Sequence, residues 1–175
     1  MNSTKRDLIN NIAVKIRNIL NITTDNFDIK TLVEELDGNL VFNDFSINEA
    51  IITKSSSDSP NAFEIMVNNN YNSQRIRFSI AHELGHLFLH MQYLINPDEW
   101  NNIEPGTSHA RNTNIPYSRY EAEANEFAAA FLMPKDRFLE VAEENFYNLN
   151  KIASIFNVSI ESAKIRGKVL GIWEW

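Results

Sequence analysis

Residues 82–90 read His-Glu-Leu-Gly-His-Leu-Phe-Leu-His and gather three of the chain's four histidines beside one glutamate. Projected on a helix, residues 76–91 place Ile76, Ile80, Leu84, Leu87, Phe88 and Met91 within an apolar arc covering about two-thirds of the circumference. His82, Glu83, His86, His90 and Ser79 crowd into the remainder. A helix so largely apolar belongs to a core, and polar groups carried into a core need a partner, a cleft or an ion. A solvated stripe on a surface helix would more often carry Lys, Glu and Gln than three histidines.

His82 and His86 stand one turn apart, the spacing that lets two imidazoles reach one Zn²⁺ at about 2.0–2.1 Å each. Glu83, next to them, is the natural general base. His90 lies eight residues past His82, roughly 12 Å farther along the axis, so it cannot join them on one ion and reads as a cleft-wall or helix-end residue. The tenth position after His82, where long metalloprotease motifs place another histidine, is Gln92.

A catalytic zinc needs a third protein ligand and an open place for water. Without cysteine in the chain, that ligand must be His, Asp or Glu, and His109 falls in a loop. The next helix offers Glu121, Glu123 and Glu126 around an apolar face made by Ala124, Phe127, Ala128, Phe131 and Leu132. Glu121 lies about 70° from the centre of that face, Glu123 about 90° on the other side, and Glu126 almost opposite. Periodicity favours Glu121, disfavours Glu126 and leaves Glu123 open. Asn125, one turn after Glu121, is placed to orient a ligand.

The elements that must position these groups are legible in outline. Leu8, Ile12, Ile16, Ile19 and Leu20 recur at helical spacing, and 28–36 forms a second short helix with Asp28 as N-cap and Gly38 as its stop. Strand-rich pieces at Asn39–Phe45, Ala50–Lys54 and Ala62–Asn68, with the turn Ser-Ser-Ser-Asp-Ser-Pro-Asn at 55–61, predict a small three-stranded antiparallel sheet. The metal helix runs from about Ser73 to Met91. Residues 92–117 lack periodicity and read as a functional lid or a mobile segment. Helices follow at about 118–132, 135–146, 149–156 and 159–170. The class is α+β with helices predominating.

At 175 residues the chain has the length of one domain, 1–175, and a net charge of −7 argues against a nucleic-acid surface. The first 20 residues lack the apolar core and cleavage site of a secretory signal, and no run reaches the roughly 18 apolar residues of a membrane span. A cytoplasmic protein is expected. Residues 151–171 imitate a helix-turn-helix, but their Lys151, Lys164, Arg166 and Lys168 sit on an acidic chain, and packing is the expected role. Trp173 and Trp175 are expected to cover apolar surface or a partner, not to stack on bases.

Three segments together resemble the ImmA/IrrE family of metallopeptidases, a gluzincin-like group: RIRFSIAHELGHLFLH at 75–90, EAEANEFAAAFLMP at 121–134 and KIASIFNVSIESAKIRGKVLG at 151–171. The resemblance implies a zincin-like domain with a helical tail, His82, His86 and Glu121 as zinc ligands and Glu83 as catalytic base. It also implies cleavage of a transcriptional repressor, often of the helix-turn-helix type and encoded by a prophage or mobile element. The short stand-alone form is expected, without the N-terminal DNA-binding domain of some relatives, and Gly167 stands where the family usually has a bulkier residue.

The chemistry expected is peptide hydrolysis, with the substrate strand adding to the sheet at Ala62–Asn68. No oxyanion-stabilising residue is identifiable; His109, Arg111, Tyr117, Arg119 and Tyr120 are near enough in sequence to be considered. The rival expectation is a zinc-binding regulatory module that docks a repressor or another protein without cutting it, and the carboxylate at Glu83 argues for the enzyme.

Overall fold

The structure is a computed structural model that describes residues 1–44, 46, 48–108 and 117–174, with the side chains of Tyr117 and Ser118 excepted. In chain order the described elements are α1 (Ser3–Ile19), α2 (Ile29–Glu35), β1 (Gly38–Phe42), β2 (Ala50–Lys54), β3 (Phe63–Val67), α3 (Ser73–Leu89), α4 (Pro97–Asn102), α5 (Tyr117–Leu132), α6 (Lys135–Glu144), α7 (Leu149–Phe156) and α8 (Ile160–Val169). The protein is α+β and mainly helical, as the hydrophobic periods predict. No described helix is long and apolar enough to cross a membrane.

The sheet is mixed, not wholly antiparallel. Its order is β1-β3-β2, with β2 antiparallel and β1 parallel to β3. The turn at 55–61 fixes only the β2–β3 pairing. β1 ends and β2 begins at the same end of the sheet, since Phe42 and Ala50 both stand opposite Val67. Residues 43–49 therefore step over the end of β3. Asn68 secures that crossing: its backbone N–H donates to Glu49 O (2.9 Å) and its side-chain amide to Ser46 O (2.7 Å). The strict alternation of β3, with Phe63, Ile65 and Val67 fully buried, belongs to a central strand covered on one face.

Behind the sheet lies the core, where α3 and α5 pack side by side. An added Cβ at Gly85 would come within 3.1 Å of the Ala124 backbone, so the missing side chain sets how closely these helices approach. Gly85→Val is expected to lower stability by about 1–3 kcal/mol through overpacking, read as a reduced urea midpoint at unchanged m-value.

On its other flanks α5 meets α1 and the tail. Glu126, which a single apolar face would leave in solvent, is only 8 % exposed. It accepts from Arg6 Nε (3.2 Å), Asn10 Nδ2 (2.7 Å) and Arg166 Nη1 (3.1 Å). Arg166 is thereby turned inward at 1 % exposure, which removes it from the basic residues a DNA-reading tail would use. Gly167 leaves room for the Trp173 ring, which lies where a Cβ would project. The small residue thus accommodates a large one from the segment after α8. Trp175 lies outside the described residues.

Within the segment expected to lack structure, α4 forms over Pro97–Asn102. Its N-cap Asn96 accepts from Glu99 N, and Pro97 opens the first turn, a start signal legible in the sequence. The lid reading of 92–117 falls partly on 109–116, outside the described residues.

Candidate metal centre

Two helices supply the groups that meet. His82 Nε2 and His86 Nε2 lie 3.0 Å apart on α3. The Glu121 carboxylate on α5 places Oε2 3.2 Å from the first and Oε1 3.2 Å from the second. Among the described residues, His82, His86 and Glu121 are the group able to hold a metal ion. Ligands about 2.0–2.1 Å from a shared tetrahedral ion stand roughly 3.3 Å apart, so this trio matches a zinc site with small adjustment. Glu123, left open by periodicity, and His90 are not in the trio.

Each imidazole is held through its far nitrogen. His82 Nδ1 lies 3.0 Å from Asn125 Oδ1, so Asn125 orients His82. His86 Nδ1 lies 2.9 Å from His90 Nδ1. His90 is the C-cap of α3, the helix-end place expected for it. Arg119 Nε donates to Glu123 Oε1 (3.0 Å), and the Tyr120 ring meets the His90 ring edge-on. His109, Arg111 and the Tyr117 side chain lie outside the described residues.

Glu83 is buried next to the trio, and its Oε2 accepts the backbone N–H of Ile52 on β2 at 2.9 Å. Burial is the main force on its carboxyl, pushing the pKa up to about 7; His82 and the Ile52 N–H pull the other way, and Glu121 adds to the rise. At His82, burial acts to lower the pKa, but Glu121, Glu83 and Asn125 outweigh it and the net direction is up. The field at this point favours positive charge.

A cleft of about 540 Å³ opens over these groups, floored by His82, Glu83, His86 and Glu121 and walled by Ala50 and Ile52 of β2. The wall strand is β2, an edge of the sheet, whereas β3 is central and offers no free edge. The expectation that a substrate strand pairs with 62–68 is therefore corrected: β1 and β2 already occupy both sides of it.

A family model described as the IrrE N-terminal-like domain, Peptidase M78, matches residues 41–168. The chain belongs to this family. No curated protein matches it. The match makes the chain a metallopeptidase-family protein and agrees with the resemblance carried by the 75–90, 121–134 and 151–171 segments. The M78 match takes in His82, Glu83, His86 and Glu121 and begins inside β1. Residues of α1 before the match, Lys5, Arg6 and Asn10, nevertheless grip α5 through Glu123 and Glu126.

Sequence reasoning did not find the Ile52 N–H contact to Glu83 or the His90–Glu123 neighbourhood. The first joins residues 31 apart through a backbone group, which leaves no trace in side-chain pattern. Part of the second had a signal: His90 follows His86 at the i, i+4 spacing that also joins His86 to His82, whereas its nearness to Glu123 depends on how α3 and α5 pack.

Proposed function

We propose that this chain is a zinc-dependent endopeptidase that cuts a regulatory protein, with a helix-turn-helix transcriptional repressor as its substrate. The observation carrying this reading is the convergence of His82, His86 and Glu121 at the foot of an open cleft, with a buried carboxylate, Glu83, alongside. We take residues 1–175 as one unit, with the tail as part of its packing, and place it in the cytoplasm, where such a repressor acts. Direct nucleic-acid binding forms no part of the reading.

His82, His86 and Glu121 would hold the ion. Bound there, zinc supplies Lewis acidity, polarising the scissile carbonyl and acidifying the attacking water. Glu83 takes the water's proton on its carboxylate and passes it to the leaving amine, a double duty suited to a carboxyl whose pKa is lifted by burial toward neutrality. Ile52 N–H fixes one Glu83 oxygen, leaving the other for the proton. The outer side of β2 at its Ala50 end, short of Lys54 where Gly106 and Thr107 already pair with it, lets an extended substrate lie along the cleft.

Two measurements test the reading. Metal analysis of the purified chain should give one zinc per molecule, lost in His82→Ala. The zinc-loaded chain should cut a repressor encoded beside it at one site, and a chain that binds zinc and the repressor but leaves it whole would point to a docking module.

A further inference from the structure

We propose that His90 and Glu123 form an outer arm that locks His86 in the tautomer able to bind zinc. The inference rests on zinc being held by His82, His86 and Glu121, and adds residues that touch neither metal nor substrate.

The argument is one of proton placement. The Nε2 atom of His86 faces His82 and Glu121, so a metal at that point needs the Nε2 lone pair and the ring proton must sit on Nδ1. That Nδ1 lies 2.9 Å from His90 Nδ1. One of the two nitrogens must donate and the other accept. If His86 donates, His90 Nδ1 must be bare and the His90 proton must be on Nε2.

Glu123 supplies the preference. Its Oε2 stands 3.6 Å from His90 Nε2, beyond a hydrogen bond but close enough for charge to matter in a buried setting. A carboxylate attracts an N–H and repels a lone pair. Glu123 is 6 % exposed and is kept in place by Lys5 Nζ (3.1 Å) and Arg119 Nε (3.0 Å). The Tyr120 ring meets the His90 ring at 88°, with centroids 4.5 Å apart, which restrains rotation of the imidazole. The order Lys5 and Arg119, Glu123, His90, His86 thus fixes each proton in turn.

His82 has a simpler device, the Asn125 oxygen at 3.0 Å, which as an amide oxygen can only accept. A histidine in the corresponding place for His86 can face either way. Without Glu123 to choose, His90 can put its proton on Nδ1, forcing His86 to accept and to carry its own proton on Nε2, where it blocks the metal. Such outer contacts typically change metal affinity by about 10–100-fold.

The test measures zinc affinity of the full chain by chelator competition, starting from zinc-free protein, for wild type, His90→Ala, His90→Gln and Glu123→Gln. His90→Ala and Glu123→Gln should each weaken zinc binding about 10–100-fold. His90→Gln, whose amide oxygen can accept from His86, should retain more affinity than His90→Met, an apolar side chain of similar size measured alongside, a rescue that a purely space-filling role would not produce. Nitrogen-15 spectra of the zinc-loaded wild type should show His90 protonated on Nε2. Wild-type affinity in the folded variants, or a His90 proton on Nδ1, overturns the arm. Should His90→Ala fail to fold, Glu123→Gln and the wild-type spectra decide. A wild-type chain that takes up no zinc overturns the arm together with the reading beneath it, whereas normal uptake with unchanged variants overturns the arm alone.

Discussion

Glu83→Gln is expected to keep zinc, keep its fold and lose cleavage of the partner protein by about 10²–10⁴-fold, the usual contribution of a positioned general base. The amide has the same shape, and its oxygen can still accept the Ile52 N–H now received at 2.9 Å. What it cannot do is take a proton from water. Because the glutamine is neutral, the variant also avoids charging a buried group, and stability should hold or rise slightly. The decisive comparison sets cleavage of the repressor, followed by gel and mass spectrometry, against zinc content in the same preparations. Retained cleavage at full zinc occupancy would sink the proposed proton transfer.

Glu126→Ala should be the most destabilising of the single changes, by about 3–5 kcal/mol, because it strands a buried cation. Arg166 is 1 % exposed, and burial is the largest influence on its guanidinium, lowering its pKa against the pull of Glu126. With Glu126 gone, the guanidinium retains the Met133 carbonyl (3.0 Å) and the Asn10 side-chain oxygen (2.7 Å) but no described carboxylate within ion-pair reach. Arg166→Met should cost less, since Glu126 keeps Arg6 and Asn10. The double variant Glu126→Leu/Arg166→Met should cost much less than the sum of Glu126→Leu and Arg166→Met measured singly, a strongly non-additive cycle in urea unfolding. An additive cycle, or a loss below about 1 kcal/mol for Glu126→Ala, would contradict a buried pair.

The same two helices show how far the sequence could be read. The meeting point of His82 and His86 is legible because it depends on local geometry, four residues on one helix, whereas the angle of Glu121 to its own apolar face only favours it and the family resemblance is what implies it over Glu123. The same wheel sets Glu126 aside as a ligand, as the trio does, but gives no sign that it is buried. That projection supposes one buried side, while α5 is enclosed by α3, by α1 from the start of the chain and by α8 from near its end. The sheet failed in a comparable way. Alternation tells which side chains of β3 face inward, but strand direction depends on where residues 43–49 cross, and that is fixed by contacts such as Asn68 to Ser46 across 22 residues. Helix α4 was a different miss: Asn96, Pro97 and Glu99 carried the start signal, and a helix of six residues gave too little periodicity beside it.

The close approach at Gly85 would tie the proposed metal to the fold. α3 brings two of the three candidate ligand side chains and α5 the third, and nothing bulkier than a hydrogen separates the helices where Gly85 meets Ala124. Unfolding would scatter the ligands, so an ion seated between the helices acts as a reversible cross-link whose strength follows mass action. Each tenfold rise of free zinc above the dissociation constant adds about 1.4 kcal/mol to the folded state. The concentration of one ion would then govern how long the protease persists as well as whether it cuts.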